Sequence, residues 1–296
     1  MKRRLLFIAS ICMLPSCSGN KTNLENNEEI KQEPPKRYGW YDEPLYGDIE
    51  SITTNEYSLT DKFGEIIKSD IEKQIIHKFN ENGDVYETSE YYLDKSMHNL
   101  YGSKCIYNYE FNDYKFEIEE YDSHNNLKYK TICKCNKDGY INEEAKYNNR
   151  NILESLSKYD DKGNFIECTA YKTNGSMSFK FIDKYDEEGN MVEQLWFNDN
   201  GKINYKAICK YDSNKNMIEQ EVYNVNNSDY SLKRKEIHKY NFLGKREEQL
   251  FYDSNGLFEY KYTFKYDKKG NLIERIRYDN EIMIPKELTE YIITYR

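Results

Sequence analysis

The sequence predicts an all-β protein built as an extended antiparallel array of β-hairpins. Three observations predict it: a heptad that recurs, a composition rich in tyrosine but poor in aliphatic residues, and turn residues about every 12 or 13 positions. The heptad reads KYDDKGN at Lys158–Asn164, KYDEEGN at Lys184–Asn190, KYDSNKN at Lys210–Asn216 and KYDKKGN at Lys265–Asn271. The chain has 296 residues and 30 Tyr, yet hydrophobic residues make up 38% and the mean hydropathy is −0.99. Tyrosine combines a large contact area with a polar tip, which suits strands whose faces are half wet. This wealth of aromatics also separates the chain from disordered sequences of similar polarity.

Aligned on the Tyr of KYD, the repeat positions are Phe79, Tyr109, Cys135, Tyr159, Tyr185, Tyr211, Tyr240 and Tyr266, and four of the seven spacings are 26. A fixed period of this length marks a repeat architecture. One residue earlier, seven of eight positions are Lys, and eight residues later all eight are Glu, from Glu87 to Glu274. Four residues after the aligned position stand Gly83, Gly139, Gly163, Gly189, Gly244 and Gly270, with Asp113 and Lys215 as exceptions. In each unit Asp opens a turn through its carboxylate, and Gly supplies the positive φ of a three-residue hairpin loop with a bulge. Met191–Phe197 then reads as a strand, Asn198–Gly201 as a second turn and Lys206–Tyr211 as the returning strand. One unit is therefore two strands and two turns of roughly 26 residues, and helix signals are weak. Gly47–Ile76 reads as a degenerate first unit, with Phe63-Gly64-Glu65 echoing the turn, which brings the array to about nine units. With a three-residue loop, the Lys slot should face Val192, Ile218 and Ile273, and Glu should project from the opposite face. Whether the twisted sheet stays open or curls is not decided by the repeat. Asn280–Arg296 leaves the pattern at Pro285, and its alternating end, Glu290–Tyr295, is expected to cap the edge of the array.

The YDxxGN motif and its spacing, over about Phe79–Tyr295, resemble the YD-repeat family of RHS-type bacterial surface proteins. MORN-like hairpin repeats share the same glycine punctuation. The YD-repeat resemblance implies an antiparallel meander that twists or curls, closing around a toxin in large members. With about nine units and no toxin-like tail, this chain is expected to fall short of a complete shell.

The N-terminus reads as an address. Lys2, Arg3 and Arg4 precede the apolar run Leu5–Leu14, which is too short to span a bilayer. Leu14-Pro15-Ser16-Cys17 resembles the bacterial lipobox, which implies a signal peptide over 1–16 and lipidation of Cys17. Residues 17–43 are polar, include Pro34-Pro35 and read as a disordered tether; 44–296 is the repeat domain. The expected location is the bacterial envelope, at the outer membrane, with the periplasmic or surface side left open. The net charge is −9, and it falls to −12 once residues 1–16, with three basic residues and no acid, are removed. That balance argues against nucleic acid as a partner.

Candidate chemistry is sparse. Cys105, Cys133, Cys135, Cys168 and Cys209 form an odd set, and Cys133 and Cys209 share a slot three units apart, about 30 Å by strand spacing. They read as small buried hydrophobes, with no metal site. His77 and His238 also share a slot, which points to packing rather than catalysis. No phosphate loop, dinucleotide fingerprint, nucleophile elbow or metalloprotease motif is present. Trp40 and Trp196 are the two tryptophans, and Trp196 stands where other units carry Ala170, Val222 or Arg277. With Phe197, Tyr171, Tyr223 and Tyr252, Trp196 makes up the candidate binding surface. The expectation is a monomeric, non-enzymatic binding or scaffold module without a cofactor. It would be anchored to a membrane by its lipid and would bind a glycan or an envelope protein. An immunity or toxin-related component and an uncharacterised hydrolase are the alternatives.

Overall fold

The computed structural model describes residues 44–94, 99–109, 115–226, 229–279 and 283–296, so Cys17, the signal and tether segments, Trp40, His98 and Asp113 lie outside the described residues. The strands are β1 (Ile49–Lys62), β2 (Glu65–Lys68), β3 (Lys73–Phe79), β4 (Val85–Asp94), β5 (Asn99–Asn108) and β6 (Lys115–Tyr121). They continue as β7 (Leu127–Cys135), β8 (Ile141–Asn148), β9 (Leu153–Tyr159), β10 (Phe165–Tyr171), β11 (Met177–Tyr185), β12 (Met191–Phe197) and β13 (Ile203–Tyr211). The last six are β14 (Met217–Asn226), β15 (Asp229–Tyr240), β16 (Arg246–Tyr252), β17 (Phe258–Tyr266), β18 (Leu272–Asp279) and β19 (Ile284–Tyr295). No helix occurs among the described residues.

The heptad explains itself residue by residue. In the copy at Lys184–Asn190, the Asp186 N–H donates to Asn190 O at 3.0 Å and the Gly189 N–H to Asp186 O at 3.1 Å. Asp186 Oδ1 accepts the Asn190 N–H at 2.8 Å, and Asn190 Nδ2 donates back to Asp186 Oδ2 at 3.0 Å. Aspartate and asparagine thus tie the loop from both ends, and Gly189 sits at φ 85°. The other five glycines of this slot lie between 72° and 90°. Lys215 takes the same left-handed conformation, φ 65°, without glycine's freedom. The tyrosine of the heptad ties one hairpin to the previous one: Tyr185 Oη donates to Phe165 O at 2.8 Å, Tyr211 to Met191 O at 2.8 Å and Tyr240 to Met217 O at 2.9 Å.

A further bulge corrects the expected register. Tyr185 pairs with Met191, but Lys184 pairs with Glu193, so Val192 is left over. The same shift recurs at Lys210/Tyr211, Lys239/Tyr240 and Lys265/Tyr266. Lysine therefore faces glutamate on one side of the sheet, not the apolar slot of Val192, Ile218 and Ile273.

The larger correction concerns closure. Each strand pairs antiparallel with the next from β3 to β19, and β1 pairs with both β3 and β19. The sheet is therefore a closed barrel of eighteen strands, not an open twisted hairpin array, and β19 is the seam strand rather than an edge cap. The eighteen strands are nine pairs, the number given by the repeat count. The strand β2 bonds only to the far end of β1 and stands outside the ring as a short hairpin closed by Phe63 and Gly64. At the seam, the Arg296 N–H donates to Asp48 O at 3.1 Å, and its guanidinium meets Asp48 Oδ1 at 2.6 Å, Asn80 O at 2.8 Å and Phe79 O. The Asn271 side chain clasps the entering chain, accepting from Tyr46 N at 2.7 Å and donating to Tyr46 O at 2.9 Å.

Burial identifies the inside. With no second layer packed on the sheet, the largest side chains disappear where the closed sheet curves in on them. Phe79, Val85, Phe116, Cys133 and Ala207 are at most 2% exposed, and they share the face of the heptad tyrosines. One core cluster reaches around the seam, packing Tyr107 of β5 and Phe264 of β17 against Ile49, Ile52 and Val85. Smaller clusters gather Phe116, Cys133 and Cys135, and Met191, Cys209 and Met217, so the interior near the heptad turns is packed.

Candidate functional site

Strand alternation sorts the repeat slots onto two walls. The outer wall is uniform. Each of five glutamates is gripped by two lysines: Glu167 by Lys158 at 2.9 Å and Lys180 at 2.6 Å, Glu219 by Lys210 at 2.5 Å and Lys235 at 2.6 Å, Glu248 by Lys239 at 2.7 Å and Lys261 at 2.5 Å. Glu87 has Lys78 and Lys104 at 2.8 and 2.9 Å, and Glu193 has Lys184 at 2.6 Å and Lys206. All five carboxyls are held below the usual range. Lysine hydrogen bonds are the largest influence at Glu167, Glu219 and Glu248; at Glu87 and Glu193 burial pulls hardest the other way, but the paired lysines outweigh it. The slot twelve residues after the aligned position is aromatic in all eight units: Tyr91, Tyr121, Tyr147, Tyr171, Phe197, Tyr223, Tyr252 and Tyr278. This row lies on the Lys–Glu wall; Tyr223 Oη, for example, donates to Glu221 Oε2 at 2.6 Å.

The inner wall repeats the heptad tyrosine near the turns but is individual beyond it. The slot two residues before the aligned position runs His77, Tyr107, Cys133, Ser157, Asp183, Cys209, His238, Phe264, and the slot eleven after it runs Glu90, Glu120, Lys146, Ala170, Trp196, Val222, Phe251, Arg277. These residues divide the interior into two arcs. From β3 to β9 the wall is polar, with ion pairs Lys73–Glu90 at 2.6 Å and Lys146–Glu120 at 3.0 Å, and with Glu144 accepting from Tyr159 Oη at 2.6 Å. From β11 to β17 it is aromatic. Phe179 and Phe181 lie 5.0 Å apart, Trp196 meets Phe181 edge-on at 6.1 Å and Tyr205 at 6.5 Å, and Phe251 stacks on Tyr260 at 4.4 Å.

Beside these rings, toward the heptad turns, runs a buried polar belt. Gln194 Nε2 donates to Asp183 Oδ1 at 2.6 Å, while Gln194 Oε1 has no hydrogen-bond partner. Gln220 Nε2 donates to Cys209 Sγ at 3.3 Å and Gln249 Nε2 to Glu236 Oε2 at 3.0 Å. Burial pushes the Asp183 carboxyl up to about 6 against the Gln194 hydrogen bond. Burial, then the charge of Arg246, pushes His238 down to about 3, so its imidazole is neutral at physiological pH. Burial lowers His77 to about 4. The five cysteines are free thiols; burial pushes Cys105 and Cys209 up to about 11, which leaves both unreactive near neutrality. Among the described residues no group of three or more potential metal ligands converges.

The five candidate binding residues do not form one surface. Trp196 lies on the inner wall opposite Tyr205, whereas Tyr171, Phe197, Tyr223 and Tyr252 belong to the outer row. Sequence reasoning names four of the eight residues of the aromatic row without recognising the row, and it does not find the polar belt. The first could have been found from the slot twelve positions on. The second could have been found by asking which slots vary while their neighbours stay constant.

No family model matches the chain, and no curated protein is similar to it. Among solved structures it is similar to a porin-like protein from Bacteroides uniformis, at 8% identity and TM-score 0.45 over 83% of this chain and 98% of that one. It is also similar to a DUF1329 family protein from Desulfovibrio piger, at 7% identity and TM-score 0.22 over 83% and 86%. A third is described as an outer membrane lipoprotein-sorting protein domain from Vibrio parahaemolyticus, at 11% identity and TM-score 0.20 over 84% and 83%. At these scores the likenesses carry no functional argument, although two of the three descriptions belong to the bacterial envelope. The YD-repeat assignment is corrected: no family model matches the chain, and the sheet closes into a barrel of eighteen strands. The outer wall also differs from that of a lipid-embedded barrel. Lys184, Lys210 and Lys265 are 57%, 58% and 68% exposed there, and a lysine in hydrocarbon costs about 2–4 kcal/mol each at the midplane.

Proposed function

We propose that this chain is a lipid-anchored envelope protein whose barrel is a non-enzymatic binding module, and that it takes a glycan on the aromatic arc of its interior. The observation that carries the reading is Trp196 between Phe181 and Tyr205, beside the Asp183–Gln194 pair. Aromatic faces with amide and carboxylate groups at their margin match the apolar face and hydroxyl rim of a sugar ring. Barrels of sixteen to eighteen strands are wide enough to leave an aqueous interior, so such a ligand has a way in. Cys17 supplies the anchor and residues 17–43 the tether; the outer Lys–Glu wall keeps the barrel in water.

The test is a glycan array probed with the full chain, followed by Trp196→Ala and Tyr223→Ala. Binding is expected to fall more than about tenfold for the inner substitution and to change little for the outer one. An empty array, or equal losses, would sink the reading. Cys17→Ala is expected to move the protein from the membrane to the soluble fraction.

A further inference from the structure

The interior carries a second asymmetry, in its choice of cation. The repeat uses lysine on the outer wall in seven of eight units. Of the six arginines among the described residues, four lie inside, on β15–β18: Arg234, Arg246, Arg275 and Arg277. Arg277 lies over Tyr260 at 4.5 Å, Arg275 over Tyr262 at 5.1 Å and Arg246 over Phe264 at 4.9 Å. The Tyr260 ring is itself stacked on Phe251 at 4.4 Å, and its phenol feels the charge of both Arg234 and Arg277. The aromatic pair, on β16 and β17, is thus flanked by Arg234 on β15 and Arg277 on β18. Acidic neighbours on the same wall set their orientation: Glu236 holds Arg234 at 2.9 Å, while Asp279 and Glu287 hold Arg277 at 3.0 and 2.6 Å. Arg234 remains 46% exposed and keeps a face toward the interior, whereas Arg277, 27% exposed, has both terminal nitrogens on acidic neighbours.

Lysine would supply the same charge. What arginine adds is a planar fork that grips a carboxylate with two parallel hydrogen bonds, together with the capacity to lie flat on a ring. We infer that the arc from Arg234 to Arg277 recognises an acidic sugar, a uronate that packs against the open edge of Tyr260 while its carboxylate is held by Arg234, the more exposed of the two guanidinium groups. This rests on the glycan reading above and narrows it to an anionic class. The arc adjoins the Trp196 cluster, since Tyr205 lies under Lys233 at 3.9 Å and Arg234 pairs with Val222 on β14. One oligosaccharide can thus run from the tryptophan to the arginines.

The experiment titrates the full chain calorimetrically with oligogalacturonate of four sugars and with a neutral cello-oligosaccharide of the same length. The acidic ligand is expected to bind at least about tenfold tighter at low salt, an advantage that shrinks as salt screens the charge. Arg234→Lys is expected to lose about tenfold for the acidic ligand alone, and Arg234→Ala more, with melting temperature as the control for folding. Equal binding of both ligands, or an unchanged affinity in Arg234→Ala, overturns the inference. If the neutral ligand binds and Trp196→Ala abolishes it, the glycan reading survives without its acidic class. If neither ligand binds, both fall.

Discussion

The outer and inner walls of this barrel are written by the same repeat but obey different rules. Outside, every unit repeats glutamate and an aromatic residue, and nearly every unit repeats lysine, because each hairpin must solve the same problem: a wet sheet face whose charges alternate in sign and whose pairing register is unambiguous. Inside, apart from the slot of the heptad tyrosine, residue types change from unit to unit, and the interior divides into a polar arc and an aromatic arc. Uniformity marks what the fold needs; individuality marks what the fold leaves free to vary. A uniform wall offers many equal sites, and a varied wall can offer one.

That contrast can be broken in several ways, the largest at the seam. Removing residues 285–296 deletes β19, which bonds to both β18 and β1. Two long edges would then be open, and the expected outcome is loss of cooperative unfolding by circular dichroism and aggregation in size-exclusion chromatography. A soluble monomer with unchanged melting would show that closure contributes nothing.

The next effect is inside. The folded-state pKa of Asp183 is raised from 3.8 to about 6 by burial, opposed by Gln194. The folded chain thus keeps a proton there that the unfolded chain has released, and Asp183 costs stability increasingly as the pH rises through that window, with the full cost present at neutrality. Asp183→Asn is expected to gain about 2–3 kcal/mol at pH 7.5 and almost nothing at pH 4, measured by urea unfolding. An equal gain at both pH values would show that the charge is not the cause.

The outer wall should respond in the opposite sense and more weakly. Glu193 is held below its usual value, so its contribution is present at neutral pH and is lost as the pH falls through its lowered folded-state value. Glu193→Gln is expected to cost about 1 kcal/mol at pH 7, discounted for the solvent around its lysines, and to become neutral near pH 3. A loss that persists in acid would point to packing instead. The smallest change is local: Lys215→Gly relieves a left-handed residue at φ 65° and is expected to stabilise by about 1 kcal/mol, with ligand binding untouched.

Much of this molecule is legible without coordinates. Strand content follows from tyrosine-rich alternation, and the hairpins follow from the Asp, Gly and Asn of each heptad, whose hydrogen bonds span at most five consecutive residues. The number of units follows from counting. These features are local, and local chemistry suffices for them. Three others were decided only by the tertiary structure. The bulge at Met191–Val192 put Lys184 opposite Glu193, a one-residue shift to which the repeat pattern is indifferent. Curvature, not hydropathy, chose the inner wall, since both faces mix polar and aromatic residues. Closure depended on Ile49–Ser58 meeting Glu287–Tyr295 from the far end of the sheet, a pairing that forms only when the twist of all the intervening strands adds up to one turn. The heptad specifies each hairpin and says nothing about that sum.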